Sequence, residues 1–239
     1  MPLTVDPFKQ LLSESLPANR RSLSEDVVDR LRLAIVRGAF APGQRLSEAA
    51  LAEAFDLSRG PIREAFASLE REGLLKLERH RGARVTMLSK TDIDEIYELR
   101  VALERLAIER AATIATDEDL DAMRATVTAL EAAAERNDIN GVVELDVRFH
   151  DFIYRAAKHE RLYQSWSVLR PQIETFLFSR AMDQTNYLDK AVREHAAILE
   201  IIRSKNRTAA VAMIEDHIHT AYERLSHISS ENAAPEENA

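Results

Sequence analysis

The sequence predicts a mainly α protein in two parts, an N-terminal winged helix-turn-helix followed by an all-helical domain. Three observations predict it. The first 90 residues run helix, short helix, tight turn, helix and a two-stranded hairpin, the order of a winged helix-turn-helix. Beyond residue 90 almost every segment fits a helix and no β-rich stretch is visible. The charge also shifts there: residues 1–89 carry 14 Lys and Arg against 12 Asp and Glu, whereas residues 90–239 carry 18 against 28. The formal net charge of −8 therefore belongs to the second part, which leaves the first free to meet a polyanion.

Residues 1–20 have weak periodicity and read as a loose arm, and the DNA-binding domain is expected over 21–89. Ser24 reads as an N-cap, with Glu25 and Asp26 favouring the positive helix end. Val27, Val28, Leu31, Ile35 and Val36 form an apolar stripe that Gly38 ends. After the Ala41-Pro42-Gly43 turn, Ser47 opens a short helix with Leu51, Ala54 and Phe55. Asp56-Leu57 is a tight connection. Ser58 caps a third helix with Ile62, Phe66 and Leu69 inward and Gly73 as its stop. Leu74–Arg79 and Ala83–Leu88 can pair as strands around His80-Arg81-Gly82.

The second domain is expected over 90–229. Thr91 and Thr116 precede acidic first turns and read as N-caps. Helices are expected near 92–114, 117–136, 138–158, 160–182, 188–204 and 206–228, interrupted only by Gly141 and Pro171. Residues 230–239 are polar and acidic and read as a disordered tail.

The third helix is the candidate DNA-reading element. Pro61 falls in its first turn, where no backbone donor is required. Arg59 and Arg63 are four apart and project from one face, where each guanidinium can take a phosphate or the O6/N7 edge of guanine. Ser58 and the free N–H groups at the helix start can hold a phosphate. His80, Arg81 and Gly82 at the hairpin tip can place a cation at the minor groove. Two arginines at this spacing can equally be a solvated helix face, but the ordered set of cap, arginine pair, glycine stop and basic hairpin favours DNA.

In the second domain Asp146 and His150 lie one turn apart on a single helix face, with His195 and His217 in later helices. Three imidazoles and a carboxylate suit zinc, nickel, manganese or iron. Read alone, these histidines are as readily core or surface residues, as His159, His219 and His227 show.

The residues Pro42-Gly43-Gln44-Arg45-Leu46, Leu51-Ala52, Ser58-Arg59, Pro61-Ile62-Arg63-Glu64-Ala65, Leu69, Glu72-Gly73-Leu74 and Arg81-Gly82-Ala83 resemble the GntR family of bacterial regulators. The resemblance implies a homodimer on a short palindromic operator in double-stranded DNA. It also implies contacts from Ser58, Arg59 and Arg63, with Arg45 and the wing glycine region assisting. Some members carry a DNA-contacting arginine in the second helix, where this sequence has Ala49 and Ala50. The second domain resembles the FCD type of effector domain, an antiparallel helical bundle, through Tyr97-Glu98-Leu99-Arg100, Leu103-Glu104, Asp146, Phe149-His150, Glu194-His195, Ile198, Met213 and His217. That resemblance implies a divalent metal, zinc first, on Asp146, His150, His195 and His217. Arg100 is a candidate for pairing with an effector carboxylate, its alternative being a surface salt bridge with Glu104.

The function read from these features is a ligand-responsive transcriptional regulator, a repressor, whose operator affinity is set by a small organic acid at the metal site. The alternative is a metal-dependent enzyme, since such a site could activate water or oxygen. No general base accompanies the set, however, and an enzyme leaves the first 90 residues unexplained. With no cysteine, disulfides, thiolate zinc sites and a cysteine nucleophile are excluded. No stretch reaches the roughly 20 apolar residues of a membrane span, and Met1–Gln10 has no leader pattern, so a cytoplasmic location is expected.

Overall fold

The computed structural model describes residues 23–78, 81–181 and 187–231, with the side chains of 180–181 and 224–231 excepted. The expected arm over 1–20, His80 at the wing tip and the tail beyond Glu231 lie outside the described residues. The chain divides into two compact units, residues 1–89 and 90–239.

In the first unit, α1 (Leu23–Val36), β1 (Arg45–Leu46), α2 (Glu48–Phe55), α3 (Arg59–Arg71), β2 (Leu75–Glu78) and β3 (Gly82–Val85) follow in order. Leu31 and Ile35 of α1, Leu51 of α2 and Ile62, Phe66 and Leu69 of α3 are buried. Ser24 lies inside α1, whose first described residue is Leu23, so it stands in the first turn rather than before it. Ser47 is the N-cap of α2 and accepts from the Ala50 amide. Ser58 holds the N-cap position of α3 in extended conformation, but its side chain makes no capping bond.

The sheet has the order β1-β3-β2, antiparallel throughout. β1 is too short to show a period of two and was not expected from the sequence. It pairs Arg45 with Arg84 and Leu46 with Ala83. Gly82 is required twice over at the start of β3. Its φ is +86°, and a Cβ there would stand 2.3 Å from the Leu46 carbonyl oxygen.

The second unit comprises α4 (Lys90–Ile114), α5 (Asp117–Glu135), α6 (Ile139–Ala156), α7 (Glu160–Ala181), α8 (Tyr187–Arg203) and α9 (Arg207–Glu231). α4 begins at Lys90, so Thr91 sits within its first turn instead of capping it. Thr116 and Asp119 form the expected capping box of α5. α7 runs through Pro171 without ending there. α9 continues to Glu231, two residues into the span expected for the tail.

The core of this unit joins Ile108, Met123, Phe149, Tyr154, Trp166, Ile173, Ile198 and Ile214, all nearly inaccessible. Trp166 stacks on Tyr154 with ring centroids 4.7 Å apart, and its Nε1 donates to Asp151 Oδ1 at 2.6 Å. α6 presents a strong apolar face inward, and that face carries Asp146 and His150 into the interior with it.

Candidate functional site

The basic face of the first unit is built by α2, α3 and the start of β3. Glu48, Ala49, Arg59, Arg63, Arg81 and Gly82 border one concavity of about 640 Å³. Arg59 and Arg63 share it because they are one turn apart on α3, and Arg81 joins them from the wing. Ile62, Ala65, Phe66 and Leu69 hold the opposite face of α3 in the core, which keeps the arginine face outward. Arg63 Nε donates to Glu48 Oε2 at 2.7 Å. Arg59 and Arg81 have no acidic partner among the described residues.

Arg45 projects from β1 and pairs with Glu78 Oε2 at 3.0 Å, while Arg84 Nε donates to Glu78 Oε1 at 2.9 Å. The Arg84 bond, with Arg45 adding, holds the Glu78 carboxyl below the usual carboxylate range against the opposing effect of burial. Pro61 sits in the first turn of α3, where its missing N–H costs no helix bond. Ala49 and Ala50 are exposed on α2, so that helix offers methyl groups, not cations, to this surface.

The second unit gathers a buried polar cluster from four helices. His150 of α6, His195 of α8 and His217 of α9 each offer a nitrogen, and these atoms lie within 4.8 Å of one another. Ring centroids are 5.1–5.4 Å apart. Asp146, one turn before His150, places Oδ1 3.9 Å from His150 Nε2 and Oδ2 3.7 Å from His195 Nε2. All four side chains are buried.

The hydrogen bonds around the rings decide their tautomers. His195 Nδ1 stands 2.6 Å from the Ala191 carbonyl oxygen, one turn back on the same helix, and so carries the proton. His217 Nδ1 donates to Glu194 Oε2 at 3.0 Å, and His150 Nδ1 to Glu104 Oε2 at 2.6 Å. Each imidazole thus spends Nδ1–H on an oxygen and turns Nε2 to its neighbours, the arrangement by which proteins orient metal-binding histidines. His195 Nε2 is fully buried and has no hydrogen-bond partner among the described residues. Burial pushes the His195 imidazolium down, with His217 adding and Asp146 opposing, so the ring is neutral and its lone pair available.

Arg100 corrects one expectation. It does bridge Glu104, Nε to Oε1 at 2.7 Å, but the pair is not on the surface: the side chains are 3% and 0% exposed. Its Nη2 also donates to His150 Nε2 at 3.1 Å, closing an Arg100–Glu104–His150 triangle. Burial alone would raise the Glu104 carboxyl, but His150 and Arg100 hold it at about 2. The Tyr97 hydroxyl, one turn before Arg100, is buried without a partner among the described residues, and burial pushes it up to about 12 despite Arg100.

Glu104, Glu194 and Tyr97 were recognisable in the sequence only as landmarks. Their spacing gave no sign that two of them orient histidines. His219 lies two residues beyond His217 and points away, exposed and paired with Glu223.

A winged helix-turn-helix with a three-arginine face, joined to a helical domain with a buried histidine–carboxylate cluster, is the domain arrangement of a DNA-binding transcriptional regulator. Sequence comparison bears this out. Residues 23–85 match the model of the bacterial regulatory proteins of the gntR family, and residues 95–220 match the FCD domain. The HTH-type transcriptional regulator YdhC of Bacillus subtilis is 32% identical over 206 residues, covering 85% of this chain and 91% of its own. The gluconate operon transcriptional repressor of Bacillus licheniformis is 30% identical over 203 residues, 83% of each. The solved structure of Escherichia coli McbR/YncC shares the fold with a TM-score of 0.77 at 22% identity, covering 87% of this chain and 99% of that one. This protein belongs to the GntR family of transcriptional regulators, in the branch with an FCD domain. Membership decides between the regulator and the metalloenzyme readings in favour of the regulator.

Proposed function

We propose that this protein is a repressor that binds a palindromic operator as a homodimer, and that a small organic acid bound at a divalent metal in its second unit changes its operator affinity. The first unit reads DNA through Arg59, Pro61 and Arg63 of α3, with Ser58 at the helix start and Arg45, Arg81 and Gly82 at the strands. The relative named for the gluconate operon is a repressor, which supports negative control.

The observation that carries the sensing half is the set of three imidazoles whose Nδ1 atoms are all committed to oxygen acceptors, with Nε2 of His195 free beside Asp146 and Nε2 of His150 shared between Asp146 and Arg100. The buried, unpartnered Nε2 of His195 fits a metal ligand, because a buried nitrogen lone pair left unsatisfied costs stability. Asp146, His150, His195 and His217 would hold the ion, zinc first, with nickel, manganese or iron as the other candidates. Such an ion supplies a Lewis-acidic centre with residual positive charge, which favours an anionic ligand. Arg100, which lies beside His150, would meet the carboxylate of that ligand. Gluconate is a hydroxy acid of the chemistry expected.

The test is a gel shift on the DNA upstream of the protein's own coding region, with chelator-stripped and Zn²⁺-reloaded protein titrated with gluconate or citrate. Operator binding by both forms, and release by acid only in the reloaded form, is expected. Equal acid sensitivity after complete stripping would overturn the metal-centred sensor. In the same assay Arg59→Ala and Arg63→Ala should each weaken specific binding, by about 1–3 kcal/mol where the arginine reads a base.

A further inference from the structure

The ion pair between Arg63 and Glu48 is the feature of the DNA-facing surface that DNA affinity alone does not explain. A carboxylate in a concavity bordered by Arg59, Arg63 and Arg81 repels phosphate and lowers affinity for any duplex. Nor does fold stability explain it. Arg63 is 64% exposed, and exposed ion pairs contribute about 0–1 kcal/mol.

The geometry points to Glu48 as a positioning residue for base reading. A free arginine side chain samples many rotamers and loses that freedom on docking. Here Glu48, the first residue of α2, takes Arg63 by Nε at 2.7 Å. A guanidinium has two edges able to make paired bonds, one that includes Nε and one formed by the two terminal nitrogens. With Nε engaged by Glu48, the terminal edge is the one left for a ligand. That edge matches the O6/N7 pair of guanine in the major groove. Arg59 and Arg81, with no acidic partner among the described residues, remain free to take phosphates.

Glu48 therefore lowers affinity for DNA in general and raises discrimination at one base pair. This assignment rests on α3 being the reading helix, and the experiment separates the two. Full-length wild type, Glu48→Gln, Arg63→Ala and Arg63→Lys are each used to select binding sites from a random duplex library. Affinity for one random duplex is measured over a salt series, and melting temperature serves as the folding control.

Wild type should select guanine at one position per half-site. Arg63→Ala should lose that preference. Glu48→Gln should lose it at the same position by roughly ten-fold, bind the random duplex more tightly, and melt as wild type does. Arg63→Lys keeps the charge but lacks the fork, and should also lose the preference. If Arg63→Ala keeps the wild-type motif, α3 is not read through Arg63 and the underlying assignment fails. If Arg63→Ala loses the guanine while folded Glu48→Gln keeps it, or loses preference at a different base pair, the positioning role of Glu48 is overturned.

Discussion

Replacing Glu104 by alanine should destabilise the second unit more than any exposed substitution, and the structure sets the size. Glu104 is fully buried and accepts from Arg100 Nε at 2.7 Å and His150 Nδ1 at 2.6 Å. Its removal takes the hydrogen-bonded carboxylate from the buried Arg100 guanidinium, and breaking a buried pair in this way costs about 3–5 kcal/mol. Linkage has the same sign: a carboxyl held below its ordinary 4.5 in the folded state stabilises that state wherever it is ionised. Because the folded value is depressed, that stability is present above pH 4.5 and is lost as pH falls toward 2.

For a unit of this size, about 2–4 °C per kcal/mol predicts a fall in melting temperature of roughly 6–20 °C for Glu104→Ala. Circular dichroism melts in chelator at pH 7 read this directly. Urea midpoints at pH 6 and pH 3 should diverge in wild type and converge in Glu104→Gln. The double variant Glu104→Leu with Arg100→Met should recover much of the loss, since removing both partners avoids the orphaned charge. A single variant within about 1 kcal/mol of wild type, or a double variant no better than Glu104→Ala, would refute the account of this cluster as a tightly coupled buried pair.

Three further outcomes are expected. Gly82→Ala should destabilise the first unit by roughly 1–3 kcal/mol, because it forces a side chain into positive φ and against the Leu46 carbonyl; unchanged melting would show that the wing adjusts freely. Trp166→Phe keeps an aromatic ring beside Tyr154 but loses the donor to Asp151, so the unfolding free energy from denaturant melts followed by circular dichroism should fall by about 1.5–3 kcal/mol. His195→Ala with His217→Ala should abolish metal retention by elemental analysis and remove the rise in melting temperature that Zn²⁺ gives wild type, while leaving DNA binding intact. A double variant that still retains one ion per chain would move the site elsewhere.

How much of this was legible in the sequence differs between the two units. In the first, caps, glycine stops and an apolar stripe at helical spacing locate α1, α2 and α3 within a few residues, and the four-residue spacing alone puts Arg59 and Arg63 on one face. These are local properties, and a helix expresses them wherever it forms. The two-residue β1 escaped because its pairing with β3 is a contact between distant residues with no local period. In the second unit the helix boundaries were similarly legible, and Asp146 with His150 was readable as a one-turn pair.

What joined that pair to His195 and His217 was the resemblance to a family, since chain separations of 45 and 67 residues carry no spacing signal. Only the tertiary structure decided that Arg100 and Glu104 are interior. At i and i+4 on a helix they read equally well as a surface bridge, and which face of α4 is covered depends on how α6, α8 and α9 pack against it. The same packing turned Glu104 and Glu194 from ordinary acidic residues into the acceptors that set histidine tautomers, and in the first unit the meeting of α2 with α3 placed Glu48 on Arg63. Composition and periodicity determine which residues share a face of one helix. Which faces of different helices meet, and so which charges are buried together, is a property of the assembled core.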